Sequence, residues 1–200
     1  MDNKNGSLRE RKKEKTRDTL IEVANRLFLE RGFEDTTVDD IVAVADISQR
    51  TFFRYFPTKE AVVFSKHPGR VVRFRLLLAR HKSAETPIKV VIEALIDFAG
   101  EYEKNKDQLL REWRIVVASP TLIVRDVELD LEFEQAIAEV LAGEKGPNSV
   151  AFSDARILAG AIFGAVRAIM QEWFGSECKS NLPELGRHAL EMLDKGLSVL

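Results

Sequence analysis

Cysteine is almost missing from this chain: Cys178 is the single one in 200 residues. No intramolecular disulfide can form, which suits a reducing compartment such as the cytoplasm. Histidine is sparse as well. His67, His81 and His188 stand far apart, and no C-x-x-C or H-x-x-x-H spacing occurs, so neither a structural zinc site nor another metal or cofactor is called for. No uncharged apolar run reaches about 18 residues, which argues against a transmembrane helix. The opening MDNKNGSLRERKKEK has basic residues with no apolar stretch behind them, unlike a signal peptide. Strand-like alternation is scarce, and no turn pair sits between alternating apolar runs as in a hairpin. Nucleophile elbow and phosphate-loop patterns are also missing.

What is present is helical. Apolar residues make up 45% of the chain and charged residues 31%, enough for a core inside a solvated surface. The net charge of −2 conceals a split. Residues 1–82 hold 18 Lys and Arg against 12 Asp and Glu, whereas residues 83–200 hold 12 against 20. A basic first part and an acidic remainder suggest a polyanionic partner for the first part alone. From Ala61 to Lys82 there are six basic residues and no acid.

Leu20, Val23, Ala24, Leu27 and Phe28 recur at helical spacing, and Gly32 stands at the expected stop. Thr36 or Thr37 can cap a second helix, and Thr37 with Asp40 has capping-box spacing. Ser48 is a natural cap for a helix over Gln49–Phe56, which Pro57 ends. Thr58 caps a fourth helix, which meets the breaker pair Pro68-Gly69. Thr86-Pro87 opens another helix. Further helices are expected near 106–118, 120–142, 151–174 and 182–199, divided at Ser119-Pro120 and Gly146-Pro147-Asn148. The stretch ILAGAIFGAVRAIM, Ile157 to Met170, has one charge, Arg167. The last helix spaces Leu182, Leu185, Ala189, Leu193, Leu197 and Leu200 three or four apart. Helices this apolar need cover on more than one side, and a partner subunit or the chain's other helices can supply it.

The short helix after Ser48 has two characters. Phe52 and Phe56, four apart, can anchor inward, while Gln49, Arg50, Phe53 and Arg54 can face outward. Gln pairs bidentately with adenine and Arg with guanine in the major groove, and an aromatic ring can touch a thymine methyl. Tyr55 can reach a phosphate. Lys59, Thr36 and Thr37 sit near helix starts, where backbone N–H groups attract phosphate. The alternative for such residues is plain core packing and solvated surface.

Residues Thr16–Phe64 resemble the DNA-binding domain of TetR-family transcriptional regulators. The likeness runs through Leu20-Ile21, Ala24, Leu27-Phe28, Gly32-Phe33, Thr36-Thr37-Val38, Ile41, Ala45, Ile47-Ser48, Thr51, Phe53, Tyr55-Phe56 and Lys59-Glu60, about a quarter of the chain. Three positions depart from the family's pattern. Asp46 stands for the usual turn glycine, Arg50 for a small residue, and Phe53 for tyrosine. Asp tolerates left-handed geometry, so the turn is expected to survive. The resemblance implies an all-α fold of about nine helices. A three-helix helix-turn-helix domain over 1–58, with its core at 8–57, precedes a helical ligand-binding and dimerisation domain over 59–200. It implies a homodimer through the last two helices, a double-stranded operator of roughly palindromic sequence, a small-molecule effector, and most often repression. Ser48 and Thr51 join the DNA-binding set by this resemblance.

The segment EWRIVVASPTLIVR, Glu112–Arg125, is similar to family members with acyl-CoA-like ligand domains. Phe98, Trp113, Phe163 and Trp173 are candidate pocket walls, with Arg114 or Arg167 to meet an anion. Core packing is the alternative for the aromatics. For Arg167 it is a carboxylate such as Glu172 or one on another helix. Two other classes fit the residues less well. A helical protein-binding adaptor conflicts with Lys59 and the basic 61–82 stretch. For an all-α enzyme, carboxylates such as Glu132 and Glu134 lie in an acidic, solvated helix.

Overall fold

A computed structural model describes residues 5–143 and 150–194. The Gly146-Pro147-Asn148 turn, Leu197 and Leu200 lie outside the described residues. Among the described residues there are ten helices and no strand: α1 (Asn5–Arg31), α2 (Val38–Ala45), α3 (Gln49–Tyr55), α4 (Glu60–Val63), α5 (His67–Arg80), α6 (Pro87–Lys104), α7 (Lys106–Val117), α8 (Pro120–Ala142), α9 (Val150–Gly175) and α10 (Leu182–Asp194). The all-α expectation holds. Pro68-Gly69 does not break a helix but opens one. Pro68 is the second residue of α5, where a missing N–H costs nothing.

The chain divides into two compact units, residues 1–66 with 111–124, and residues 67–110 with 125–200. In the first, the head, one stripe of α1 (Leu20, Ala24, Leu27 and Phe28) is buried with Phe33, with Ile41 of α2 and with Phe52 and Phe56 around α3. Val62 and Val63 of α4, Ile115 and Val116 of α7 and Leu122 of α8 complete this core. Phe52 has no exposed surface, and cutting such a ring to Ala typically costs about 3–5 kcal/mol. Ser119 is equally buried. Its hydroxyl donates to Glu34 Oε1 at 2.5 Å and accepts from Leu122 N–H at 3.2 Å, capping α8, where Pro120 follows at the first position.

In the second unit, α5 packs on α6, and α10 packs on α6 and α9. Its core draws Phe74, Leu77 and Leu78 from α5, Val90, Val91 and Ala94 from α6, Phe133 and Ile137 from α8, and Ile162 and Phe163 from α9. Thr86 caps α6 by accepting from Lys89 N–H at 3.3 Å, with Pro87 behind it as its sequence requires. Part of α9 stays uncovered: Ile157 is 70% exposed and Leu158 55%. By length and composition Phe152–Gly175 is apolar enough to cross a membrane, and 28% of its apolar window is buried within the chain. Gly160, Ala165, Val166 and Ile169 are partly covered, while Ile157, Leu158 and Ala161 are exposed.

Candidate nucleic-acid interface

The helix-turn-helix is built from local bonds that its sequence supplies. Thr37 caps α2 in a reciprocal box. Its hydroxyl accepts from Asp40 N–H at 3.1 Å, and its own N–H donates to Asp40 Oδ2 at 2.8 Å. The Thr37 hydroxyl and then its backbone N–H hold the Asp40 carboxyl below the usual range. Asp46 ends α2 in the left-handed region, φ 53° and ψ 50°, donating its N–H to Val42 O. Ser48 then caps α3, accepting from Thr51 N–H at 3.2 Å, and the two hydroxyls lie 3.0 Å apart.

Seven residues of α3 give two turns with two faces. Phe52 and Phe56 point inward, with rings 5.8 Å apart. Gln49, Arg50, Phe53 and Arg54 are exposed on the other face. Phe53, half exposed, stands edge-on to Phe52, which keeps its ring upright on the surface. The Arg54 guanidinium lies over the Tyr55 ring at 5.3 Å. Tyr55 is half-buried against the head core. The Gln49 amide donates to the Asp39 carboxylate of α2.

Two expected phosphate ligands are otherwise engaged. Thr36 is fully buried, and its hydroxyl donates to Gly32 O at 2.7 Å. The Lys59 ammonium donates to Phe33 O at 2.6 Å, Thr36 O at 3.0 Å and Glu34 O at 3.4 Å, and sits 4.2 Å from the Phe33 ring centroid. Three N–H donors meet three carbonyls at the turn after α1, so Lys59 ties α4 to that turn. Sequence reasoning also missed Arg17, whose Nη2 donates to Ser65 O at 2.8 Å and whose guanidinium covers Phe56 at 5.5 Å. No spacing rule connects partners so far apart in the chain.

Of the residues expected around a ligand, Phe98 and Phe163 come together and the others do not join them. Phe98 and Phe163 both reach Phe133, each 5.9 Å away, with the Phe133 and Phe163 rings stacked at 15°. Phe98 also meets Phe74 at 5.4 Å and Tyr102 at 4.8 Å. Trp113 and Arg114, however, belong to the 111–124 stretch that clusters with the head. Trp173 is fully buried and donates Nε1–H to Ser180 O at 3.0 Å, bracing the turn after α9. Arg167 donates to Asp130 Oδ2 at 3.2 Å and lies 3.8 Å from Glu134, so its partners are on α8 and Glu172 is not among them. Burial, then the like charge of Asp126, pushes the Asp130 carboxyl up to about 6 against the pull of Arg167.

His67 was not anticipated. It is buried edge-on to Phe133, with rings 5.4 Å apart, and its Nε2 has no hydrogen-bond partner; the Glu132 carboxylate is 3.8 Å away. Burial lowers its pKa, against the opposing pull of Glu132. Among the described residues no cluster of His, Cys, Asp and Glu is placed to hold a metal ion.

Comparison with known proteins adds to this geometry. Residues 20–65 match the family model for bacterial regulatory proteins of the tetR family, and residues 85–198 match the model for the MftR C-terminal domain. The chain is 30% identical over 174 residues to the HTH-type transcriptional regulator TcmR of Streptomyces glaucescens, covering 84% of this chain and 76% of that one. It is 24% identical over 194 residues to the fatty acid metabolism regulator protein of Bacillus subtilis, covering 89% and 93%. Among solved structures it is similar to Thermus thermophilus FadR, a TetR family transcriptional repressor in complex with lauroyl-CoA. There the identity is 27%, the coverage 92% and 96%, and the TM-score 0.56.

Proposed function

The chain belongs to the TetR family of bacterial regulatory proteins, whose members are ligand-responsive DNA-binding regulators of transcription, and we propose that it is a repressor that grips a roughly palindromic operator as a homodimer and lets go when a small molecule binds. The observation that carries this is the outward face of α3. Gln49, Arg50, Phe53 and Arg54 are exposed together on a helix whose other side is pinned by Phe52. Gln49, Arg50 and Arg54 read base edges in the major groove, and the Phe53 ring meets a thymine methyl. Thr37, Ser48, Thr51 and Tyr55 face the sugar-phosphate backbone from the starts of α2 and α3 and the end of α3. Thr36 and Lys59 serve indirectly, by holding the turn before α2.

The dimer forms through α9 and α10. Ile157 and Leu158, with Met192 and Leu193 at 46% and 45% exposure, supply the apolar face that a second copy would cover. Working on the chromosome places the protein in the cytoplasm. For the effector we propose an apolar, acyl-CoA-like molecule. The Phe74, Phe98, Phe133 and Phe163 group offers an acyl chain aromatic walls, and the unpartnered Nε2 of His67 offers the thioester carbonyl a polar contact. Release requires that this molecule bind the DNA-incompetent state more tightly, and DNA must then weaken its binding by the same factor.

A gel-shift assay on the DNA flanking the protein's own gene tests both halves. The expected result is a discrete, salt-sensitive complex that lauroyl-CoA dissolves. No complex at low salt without ligand would refute the regulator reading of α3. A complex indifferent to lauroyl-CoA and to shorter acyl-CoAs would refute the effector class alone.

A further inference from the structure

Asp39 has no place in the helix-turn-helix pattern, yet it holds the first residue of the reading helix. Its neighbour Asp40 is consumed by the Thr37 cap. Asp39 is exposed in the first turn of α2, and its carboxylate accepts from the Gln49 side-chain amide across the turn. We propose that Asp39 is a positioning residue that decides which base Gln49 reads. This rests on α3 being the DNA-reading helix.

The argument is one of donors and acceptors. A glutamine amide has an oxygen end that accepts and a nitrogen end with two N–H donors. Free in solvent, it turns over at no cost and presents either end to a base. A carboxylate only accepts, so it takes the nitrogen end and fixes the orientation of the amide. One N–H is then engaged with Asp39. One N–H and Oε1 remain, side by side. That pair matches adenine, whose N7 accepts and whose N6 amine donates in the major groove. With Asp39 in place Gln49 is committed to this pairing; without it, the flipped amide competes. The arrangement also places a negative charge beside the surface that would meet phosphates, which lowers affinity for every sequence alike. Asp39 thus exchanges affinity for selectivity.

An acid in the first turn also favours its helix through the dipole, so stability alone does not test the idea; base preference does. Full-length wild type, D39A, D39N and Q49A are each used to select from a random duplex library at fixed salt, with thermal unfolding followed in parallel. Wild type should enrich a two-fold motif with adenine at one position per half-site, and Q49A should lose that adenine. D39A should weaken the preference there about tenfold, leave the other positions unchanged, and bind non-specific DNA more tightly. D39N keeps an accepting oxygen without the charge, and its preference should fall between the two. The proposal is overturned if folded D39A enriches the wild-type motif with unchanged base ratios, or if Q49A leaves every position as it was. If wild type itself enriches no motif, the assignment of α3 as the reading helix fails first and takes this proposal with it.

Discussion

Two cations of the head, Arg50 and Lys59, look alike in the sequence and behave differently in the structure. Arg50 is exposed at the start of α3, whereas Lys59 is spent on the carbonyls of Phe33, Glu34 and Thr36. Their substitutions should therefore fail in different ways. R50A should leave the fold intact and relax base preference at its contact by about 1–3 kcal/mol, read from competition binding to single-base operator variants. K59M keeps the stem but strands carbonyls in the turn after α1. It should lower stability by about 1–3 kcal/mol in urea titration, while the salt dependence of DNA binding by the folded fraction stays as in wild type. A flattened salt slope in K59M would return Lys59 to the phosphates. The position of Lys59 beside a helix start could be read along the chain, but its partners could not. A hydrogen bond across more than twenty residues has no spacing signature. The same holds for Arg17 with Ser65 and for Ser119 with Glu34.

Among the elements, the α2–α3 turn is where local chemistry was most legible. Asp46 occupies the left-handed region that its sequence context demanded. Gly there should be neutral or slightly stabilising. Val, whose branched Cβ crowds that conformation, should cost about 1–2 kcal/mol and loosen α3, measured by denaturation and by hydrogen exchange at Thr51 and Phe52. The Thr37–Asp40 capping box and the Thr86-Pro87 start were legible for the same reason, because each acts within four residues, whereas Pro68 reads as a breaker yet opens α5. The pairing of α8 with α9 was not. Arg167 announced a partner without naming it, and only packing selects Asp130 over Glu172. That pair carries a pH prediction. Asp130 titrates near 6 in the fold against 3.8 as a free side chain. Its protonated form is therefore favoured by folding. The stability this contributes is complete below pH about 4 and is lost as pH rises through 6. D130N cannot ionise and should be more stable than wild type by about 3 kcal/mol at pH 8, with the gain fading by pH 4. Chemical denaturation across that range checks it; a variant less stable than wild type at pH 8 would show that the Arg167 pairing outweighs burial.

For the molecule as a whole, the charge split and the bare face of α9 belong together. The basic first 82 residues suit a polyanion and the acidic remainder does not, although basic α5 itself lies in the second unit. What the second unit offers instead is Ile157 and Leu158 on an uncovered apolar surface. Replacing both with Glu should halve the mass seen by sedimentation without unfolding the chain. DNA affinity should drop by orders of magnitude, because two linked reading helices about 34–36 Å apart gain an effective concentration that one alone lacks. A double variant that still sediments as a dimer would move the interface elsewhere. The ligand set was the least legible part. Trp113 and Arg114 looked like neighbours of Phe98 along a run of helices, but α7 begins in one unit and ends in the other.

That divided helix has a consequence for how the protein can be taken apart. The head is not an N-terminal cassette. Residues 1–66 lack Ile115, Val116 and Leu122, which close the head's core, and Ser119, which bonds to Glu34. A fragment cut at Lys66 would expose that core to water, and a chimera that grafts this head onto a foreign sensor would need the 111–124 stretch carried along or rebuilt. Grafting of this head is therefore constrained at three junctions, after residues 66, 110 and 124, rather than at one.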